Sequence, residues 1–118
     1  NGRPLTVTDI VTDDWYNYDA KYKSGGSEHI VPADIPKKIF DLCINYAVIA
    51  HHSLGCRGIT RSDFRWNENN GEEGLYILEL NTQPGMTKTS LVPEQAKYVG
   101  LDLQYLCLEL IKDASYNK

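Results

Sequence analysis

The fold is decided by two stretches of sequence, RGITRSDFRW at residues 57–66 and LYILELN at residues 75–81, which are joined by the polar stretch NENNGEEG at residues 67–74. The two outer stretches have the β-branched, aromatic and alternating apolar content of strands. The stretch between them is rich in Asn and Gly, which is typical of a turn. The sequence therefore predicts an antiparallel hairpin.

One face of this hairpin is polar. Side chains alternate between faces along a strand, so Arg61 and Asp63 share a face of the first strand, as Glu79 and Asn81 do in the second. Closing the hairpin places Asp63 near Glu79, with Cβ atoms about 5 Å apart. Such carboxylates repel unless a cation lies between them, and Mg²⁺ accepts one or two carboxylates plus phosphate oxygens. The face is either a magnesium site with Asn81 as a third ligand, or a solvated face on which Arg61 neutralises Asp63.

The loop that follows contains Pro84-Gly85. A glycine lets backbone N–H groups approach a ligand closely, and such donors can hold an oxyanion. The alternative is a plain type II turn, in which glycine serves only the backbone conformation. Both interpretations stay open on the sequence alone.

Upstream of the hairpin, residues 4–12 are predicted to form a strand. The preceding Asn1-Gly2 is typical of a type I′ turn, so we expect the chain to begin inside a hairpin; the alternative is a loose terminus or an expression scar. Residues 13–27 form a long polar and aromatic loop of the kind that often serves as a functional lid. A short strand is predicted at residues 28–31.

Three helices complete the prediction. Asp34 is predicted to cap the first, which carries apolar residues at helical spacing and ends at Gly55. A short helix is predicted over residues 93–99, ended by Gly100, and Asp102 is predicted to cap the last helix. Together these elements predict an α+β fold in which helices pack on one face of an antiparallel sheet.

Composition excludes several classes of protein. The chain has 12 basic and 16 acidic residues and a net charge of −4, without the basic face that nucleic-acid binding requires. No apolar run approaches the roughly 20 residues of a membrane span, and we expect no signal peptide. The three cysteines form no metal-type pair and are expected to be reduced, which fits the cytoplasm. His51 and His52 are adjacent on a helix and cannot share a face, so zinc is not expected.

Three motifs resemble the D-alanine–D-alanine ligases, which are ATP-grasp enzymes. ELNTQPGMT at residues 79–87, followed by SLVP at 90–93, resembles the family signature, and LGCRGITRSD at 54–63 resembles its companion strand. YDAKY at 18–22 resembles the family's mobile active-site loop. The motifs occur in the family's order and at about its spacing. The resemblance implies the C-terminal part of an ATP-grasp domain, truncated at its N-terminus.

Within residues 1–118 the resemblance implies a mobile loop at about 13–27, a metal-site hairpin at about 57–81 and a substrate loop at about 82–93. The implied ligands of two Mg²⁺ ions, or of Mn²⁺ in their place, are Asp63, Glu79 and Asn81. The implied ATP contacts are Trp15, Lys21, Leu78 and Glu79. The family often has Phe where this chain has Trp15.

The remaining implied roles concern the substrates. Arg61 and the backbone N–H of Gly85 resemble the donors to the developing oxyanion, and Tyr22 resembles the loop residue that closes over the substrates. Ser90 and the backbone of Leu91 resemble the site for the carboxylate of the second D-alanine. The implied chemistry is phosphorylation of one D-alanine by ATP, followed by attack of a second D-alanine on the acyl phosphate, for peptidoglycan precursor synthesis.

The resemblance also implies partners. We expect the N-terminal and central domains of the same polypeptide to complete the site, the chain alone to be inactive, and the full-length enzyme to be a cytoplasmic homodimer. Two alternatives stay open. A D-alanine–D-lactate ligase would differ in the mobile loop and around Ser90-Leu91. A non-catalytic domain would lack Asp63, Glu79 or Asn81, and all three are present.

Overall fold

The structure, a computed structural model, describes residues 4–11 and 28–114. Two antiparallel sheets of two strands each lie within these ranges, β1 with β2 and β3 with β4. A 3₁₀ segment, Glu68–Gly74, joins β3 to β4. The strands are β1 (Asp9–Val11), β2 (Glu28–Ile30), β3 (Arg61–Trp66) and β4 (Leu75–Asn81), and the helices are α1 (Lys37–Ser53), α2 (Leu91–Tyr98) and α3 (Leu103–Asp113).

The predicted hairpin is confirmed, and β4 has the predicted bounds. Strand β3 is shorter than predicted because it begins at Arg61 rather than at residue 57. Gly58 has a φ of 67°, which is outside the extended region. Its N–H donates to the Asp113 carboxylate at 2.8 Å instead of to a neighbouring strand. The approach to β3 is therefore attached to the end of α3.

The predicted strand over residues 4–12 is mostly wrong, because only Asp9–Val11 pairs with β2. The residues before Asp9 are held by contacts other than strand pairing. Val7 accepts a hydrogen bond from the Ala33 N–H at 2.8 Å through its carbonyl oxygen, and Leu5 packs among the residues of α2 and α3. The short strand predicted at 28–31 is confirmed as β2. The Asn1-Gly2 turn and the loop predicted at 13–27 lie outside the described residues.

The N-terminus of α1 differs from the prediction. Asp34 does not cap the helix, which begins at Lys37 with Pro36 in the cap position and no side-chain cap. Pro36 is extended, with a ψ of 140°, and its carbonyl oxygen accepts the first helical hydrogen bond from Phe40 at 3.0 Å. Asp34 therefore lies too far upstream to reach the first turn. The predicted end is confirmed, because Gly55 follows the helix with a φ of 64°.

The two C-terminal helices follow the prediction closely. Helix α2 starts at Leu91, two residues earlier than predicted, because a proline such as Pro93 is tolerated in the first turn of a helix. Gly100, with a φ of 91°, follows the end of α2 as predicted. Asp102 caps α3, as predicted, by accepting a hydrogen bond from the Tyr105 N–H at 2.7 Å.

Two apolar clusters form the core. One joins α1 to the hairpin, and the other joins α2 to α3. The first is built on Ile39, Cys43 and Leu75, with Phe64 and Trp66 packed against it; the second is built on Val92, Ala96 and Leu106, with Leu5, Ile59 and Met86 packed against it. Because Phe64 and Trp66 face α1, the alternate residues of β3 face away from it. The α+β class is confirmed, and one face of the hairpin is left for polar side chains. No helix within the described ranges has the length and hydropathy that a membrane crossing requires.

Candidate active site

The site face, defined by Arg61, Asp63, Glu79 and Asn81, depends on a β-bulge. From the turn end of the hairpin, a regular register would set Asp63 opposite Leu78. A register shift directly after Asp63 leaves Leu78 without a partner, so that Asp63 pairs with Glu79 and Arg61 pairs with Asn81. Without this extra residue, Glu79 would fall on the opposite face from Asp63. The expected pairing of Asp63 with Glu79 is confirmed, and the bulge is its cause.

Arg61 holds Asp63 by a bidentate ion pair. Its Nε donates to Oδ1 at 2.8 Å, and its Nη2 donates to Oδ2 at 3.0 Å. The two side chains are 22% and 29% exposed, so solvent screens the pair only in part. Both oxygens of Asp63 are engaged, which is the contact that the solvated-face interpretation expected. Because Arg61 offsets Asp63, the net negative charge of the site face rests on Glu79.

Glu79 and Asn81 complete the face. Glu79 is exposed, and Asn81 is half-buried. The Asn81 Oδ1 accepts a hydrogen bond from the Gln83 N–H at 2.8 Å, which turns the chain sharply as it leaves β4. An amide oxygen has a second lone pair, so this bond does not prevent Asn81 from binding a cation.

The donor set of the site face limits which ion it fits. Within residues 4–11 and 28–114, no three His, Cys, Asp or Glu side chains come together as an ion-binding group. The described side chains therefore offer two carboxylates and one amide oxygen. Protein zinc sites are built mainly from Cys and His ligands, and calcium requires about six to eight oxygens. Mg²⁺, which retains waters and takes further oxygens from phosphates, fits this sparse set of oxygens.

The 85–90 turn, running from Gly85 to Ser90, lies beyond the end of β4 and is closed by Ser90. The Ser90 Oγ accepts a hydrogen bond from the Thr87 N–H at 3.1 Å and lies 2.6 Å from the Thr87 hydroxyl. A Cβ on Gly85 would come within 2.8 Å of that same Oγ. The plain type II turn is wrong, because Gly85 is not among the glycines with positive φ. Glycine is needed here for its close approach to Ser90.

The other predicted site residues fall into two groups. Leu78, at the bulge, is 63% exposed and follows Tyr76 and Ile77, which are 57% and 46% exposed. Leu91 is the first residue of α2, directly after the turn. The remaining three predicted contacts lie outside the described residues: Trp15, Lys21 and Tyr22.

Two contacts that the sequence did not predict join β2 and the segment before β1 to helix α2. His29 Nδ1 lies 2.8 Å from the Glu94 Oε1, and Gln95 Nε2 donates to the Thr8 hydroxyl at 2.9 Å. His29 is half-buried. Nothing in the local sequence indicates either contact, because the partners are 65 and 87 residues apart.

The fold and the site face now define the class of protein. A protein-family model described as "D-ala D-ala ligase C-terminus" matches residues 3–112. The chain belongs to this family, and the resemblance drawn from its motifs is confirmed.

Relatives carry the particular name D-alanine–D-alanine ligase. The protein of that name from Roseobacter denitrificans is 64% identical over 116 residues, which cover 98% of this chain and 36% of the relative. The one from Ruegeria pomeroyi is 57% identical, with 98% of this chain and 38% of the relative covered. The chain thus spans a little over a third of the length of the relatives it matches.

A solved structure confirms the fold class. The crystal structure of D-alanine–D-alanine ligase from Bacillus anthracis complexed with ATP superposes with a TM-score of 0.74 at 24% identity. The match covers 95% of this chain and 36% of the solved one. The described elements therefore have the fold of the C-terminal part of an ATP-grasp ligase.

Proposed function

We propose that this chain is part of an enzyme that joins two D-alanines into D-alanyl-D-alanine, with ATP and Mg²⁺, for peptidoglycan precursor synthesis. The observation that carries the proposal is the site face, where a bulge pairs Asp63 with Glu79 and Arg61 with Asn81. Membership of the ligase family and the names of the relatives support the reaction. The ATP in the Bacillus anthracis structure supports the nucleotide.

Asp63, Glu79 and Asn81 would hold the metal, as two Mg²⁺ ions or Mn²⁺ in their place. When bound, the metal neutralises charge on the transferring phosphoryl group. Glu79 is also proposed as an ATP contact, and the exposed Leu78 would offer an apolar surface to adenine. Trp15 and Lys21 are proposed as further ATP contacts on the strength of the family motifs.

Arg61 and the N–H of Gly85 are proposed as donors to the oxyanion that develops when the second amine attacks. Arg61 is held on the site face by Asp63, and Gly85 lies in the turn closed by Ser90. Donors fixed before the reaction stabilise such charge without reorganising. Ser90 and the N–H of Leu91, at the start of α2, would bind the carboxylate of the second D-alanine, which suits the N-terminus of a helix.

The proposed reaction has two steps. A carboxylate oxygen of the first D-alanine attacks the γ-phosphorus of ATP, and ADP leaves. The amine of the second D-alanine then attacks the acyl carbon, and phosphate leaves. The acyl phosphate must be kept from water, and Tyr22 is proposed to close over the substrates for that purpose. The rest of the polypeptide would supply the other walls of the site, in a cytoplasmic homodimer.

The test uses the full-length protein. We expect dipeptide and phosphate to form from D-alanine and ATP, and the reaction to stop when Mg²⁺ is chelated. D-lactate is offered in parallel, because a D-alanine–D-lactate ligase is the competing activity. No D-alanine-dependent phosphate release from a folded, metal-supplied enzyme would refute the proposal, and preferential formation of the depsipeptide would reassign the second substrate.

A second expectation concerns the chain by itself. Because it spans only a little over a third of its relatives, the proposed site is divided between this part and the rest. We expect no dipeptide from residues 1–118 with ATP, Mg²⁺ and D-alanine. Phosphate release clearly above a control without protein would show that the described residues suffice.

A further inference from the structure

We propose that His29 and Glu94 are positioning residues that hold the start of α2, with Ser90 and Leu91, in place for the second amino acid. This inference rests on the proposed function, since it assigns the second substrate to Ser90 and Leu91. It adds two residues that neither touch the substrates nor belong to any of the family motifs.

A part-buried contact joins β2 to α2. His29 Nδ1 lies 2.8 Å from Glu94 Oε1, and the two side chains are 22% and 33% exposed. With the imidazole hydrogen on Nδ1, His29 donates and the Glu94 carboxylate accepts. The comparable pair Lys37–Asp41 is 87% and 58% exposed and lies within one helix. Exposed pairs of that kind contribute little, whereas a part-buried contact between distant elements fixes their relative position.

Glu94 also contacts the 85–90 turn directly. Its backbone N–H donates to the Ser90 carbonyl oxygen at 3.2 Å. Ser90 in turn donates its own N–H to the Thr87 carbonyl at 3.0 Å and receives the Thr87 N–H on its hydroxyl. Glu94 therefore contacts β2 with its side chain and Ser90 with its backbone.

A second polar contact joins α2 to the segment before β1. Gln95 Nε2 donates to the Thr8 hydroxyl at 2.9 Å, directly beside Glu94 on α2. Leu5 packs on the apolar cluster that includes Val92. Two polar contacts and an apolar one fix the rotation of α2 as well as its position. These contacts fix the position of Ser90 and Leu91 at the start of α2. The residues that make them from the other side, His29, Thr8 and Leu5, lie outside the SLVP motif.

The expected consequence is confined to the second substrate. A misplacement of about 1 Å in a group that orients a reactant can lower a rate about 100-fold. Loosening α2 would move Ser90 and Leu91 but leave the site face, which lies on the hairpin. The first step of the reaction should therefore persist while capture of the second D-alanine weakens.

The experiment measures two reactions of the full-length enzyme. The first is dipeptide formation. The second is hydroxamate formation from one D-alanine, ATP and hydroxylamine, which intercepts the acyl phosphate without using the second amino-acid site. Variants are His29→Ala and Glu94→Ala, their double mutant, and the conservative His29→Asn and Glu94→Gln, which keep a donor and an acceptor. Lys37→Ala is the matched control for loss of an exposed ion pair.

We expect each alanine variant to raise the KM for the second D-alanine about tenfold while hydroxamate formation stays within about twofold of wild type. The double mutant should be no worse than either single mutant, because the two residues act as a pair. Both conservative variants should restore most of the loss, and Lys37→Ala should change neither reaction.

The inference is overturned if the conservative variants, which keep the fold, behave like the alanine variants, or if both reactions fall together. It is also overturned if folded alanine variants retain the wild-type KM. A wild-type enzyme that forms neither dipeptide nor hydroxamate would instead refute the proposed function, and with it this inference. Wild-type activity with unchanged variants would refute the inference alone.

Discussion

Glu79 is the most informative residue to change. The substitution Glu79→Gln keeps the size of the side chain and removes its charge. Glu79 lies opposite Asp63 only because of the bulge, and it is exposed, so glutamine meets no steric obstacle. Any effect on turnover will therefore report on the charge rather than on packing.

The magnitude follows from the charges on the site face. Arg61 and Asp63 form a bidentate pair, so the net negative charge belongs to Glu79, and Glu79→Gln leaves the face neutral. Opposite unit charges 4 Å apart attract by about 4 kcal/mol at an effective dielectric constant of about 20. The glutamine oxygen and water recover part of this. A loss of about 3 kcal/mol remains, which corresponds to a rate at least about 100-fold lower.

The assay is steady-state turnover of the full-length enzyme at saturating ATP and Mg²⁺, together with its melting temperature. The melting temperature without Mg²⁺ should stay unchanged or rise slightly, because a repulsion with Asp63 is relieved. Glu73→Gln, the same change in the exposed 3₁₀ segment, is the matched control and should keep wild-type turnover. A folded Glu79→Gln variant with near-wild-type turnover would remove Glu79 from the metal site.

Three further predictions concern stability and reactivity. Gly74→Ala should lower the free energy of unfolding by about 3 kcal/mol, because its Cβ would lie 2.1 Å from the Asn67 carbonyl oxygen. In the same chemical denaturation Gly55→Ala, whose Cβ meets nothing within 4 Å, should lower the free energy of unfolding by only about 1 kcal/mol. Asp102→Ala should lose about 1 kcal/mol by removing the cap of α3, and an unchanged midpoint would contradict the cap. Burial raises the pKa of the Cys43 thiol, so alkylation monitored by mass spectrometry should be slow there until the protein unfolds.

Local sequence was enough where one residue fixes one backbone feature. Gly55 ends α1, Gly100 follows α2 and Asp102 caps α3, as predicted, because each acts through its own backbone or its nearest amides. Asp34 failed as a cap because the extended Pro36 delays the start of the helix. Strand β3 was predicted too long because Asp113, far along the chain, takes the N–H of Gly58.

The candidate site divides in the same way. By itself the sequence determined which residue types share a face, since alternation along a strand is a local property of the backbone, and its motifs determined the family. The sequence predicted that Asp63 meets Glu79, but tertiary structure decided the bulge that permits this pairing, because a bulge is set by hydrogen bonds and packing between strands. Tertiary structure alone also attached His29 to Glu94, because a contact across 65 residues depends on how separate elements pack together.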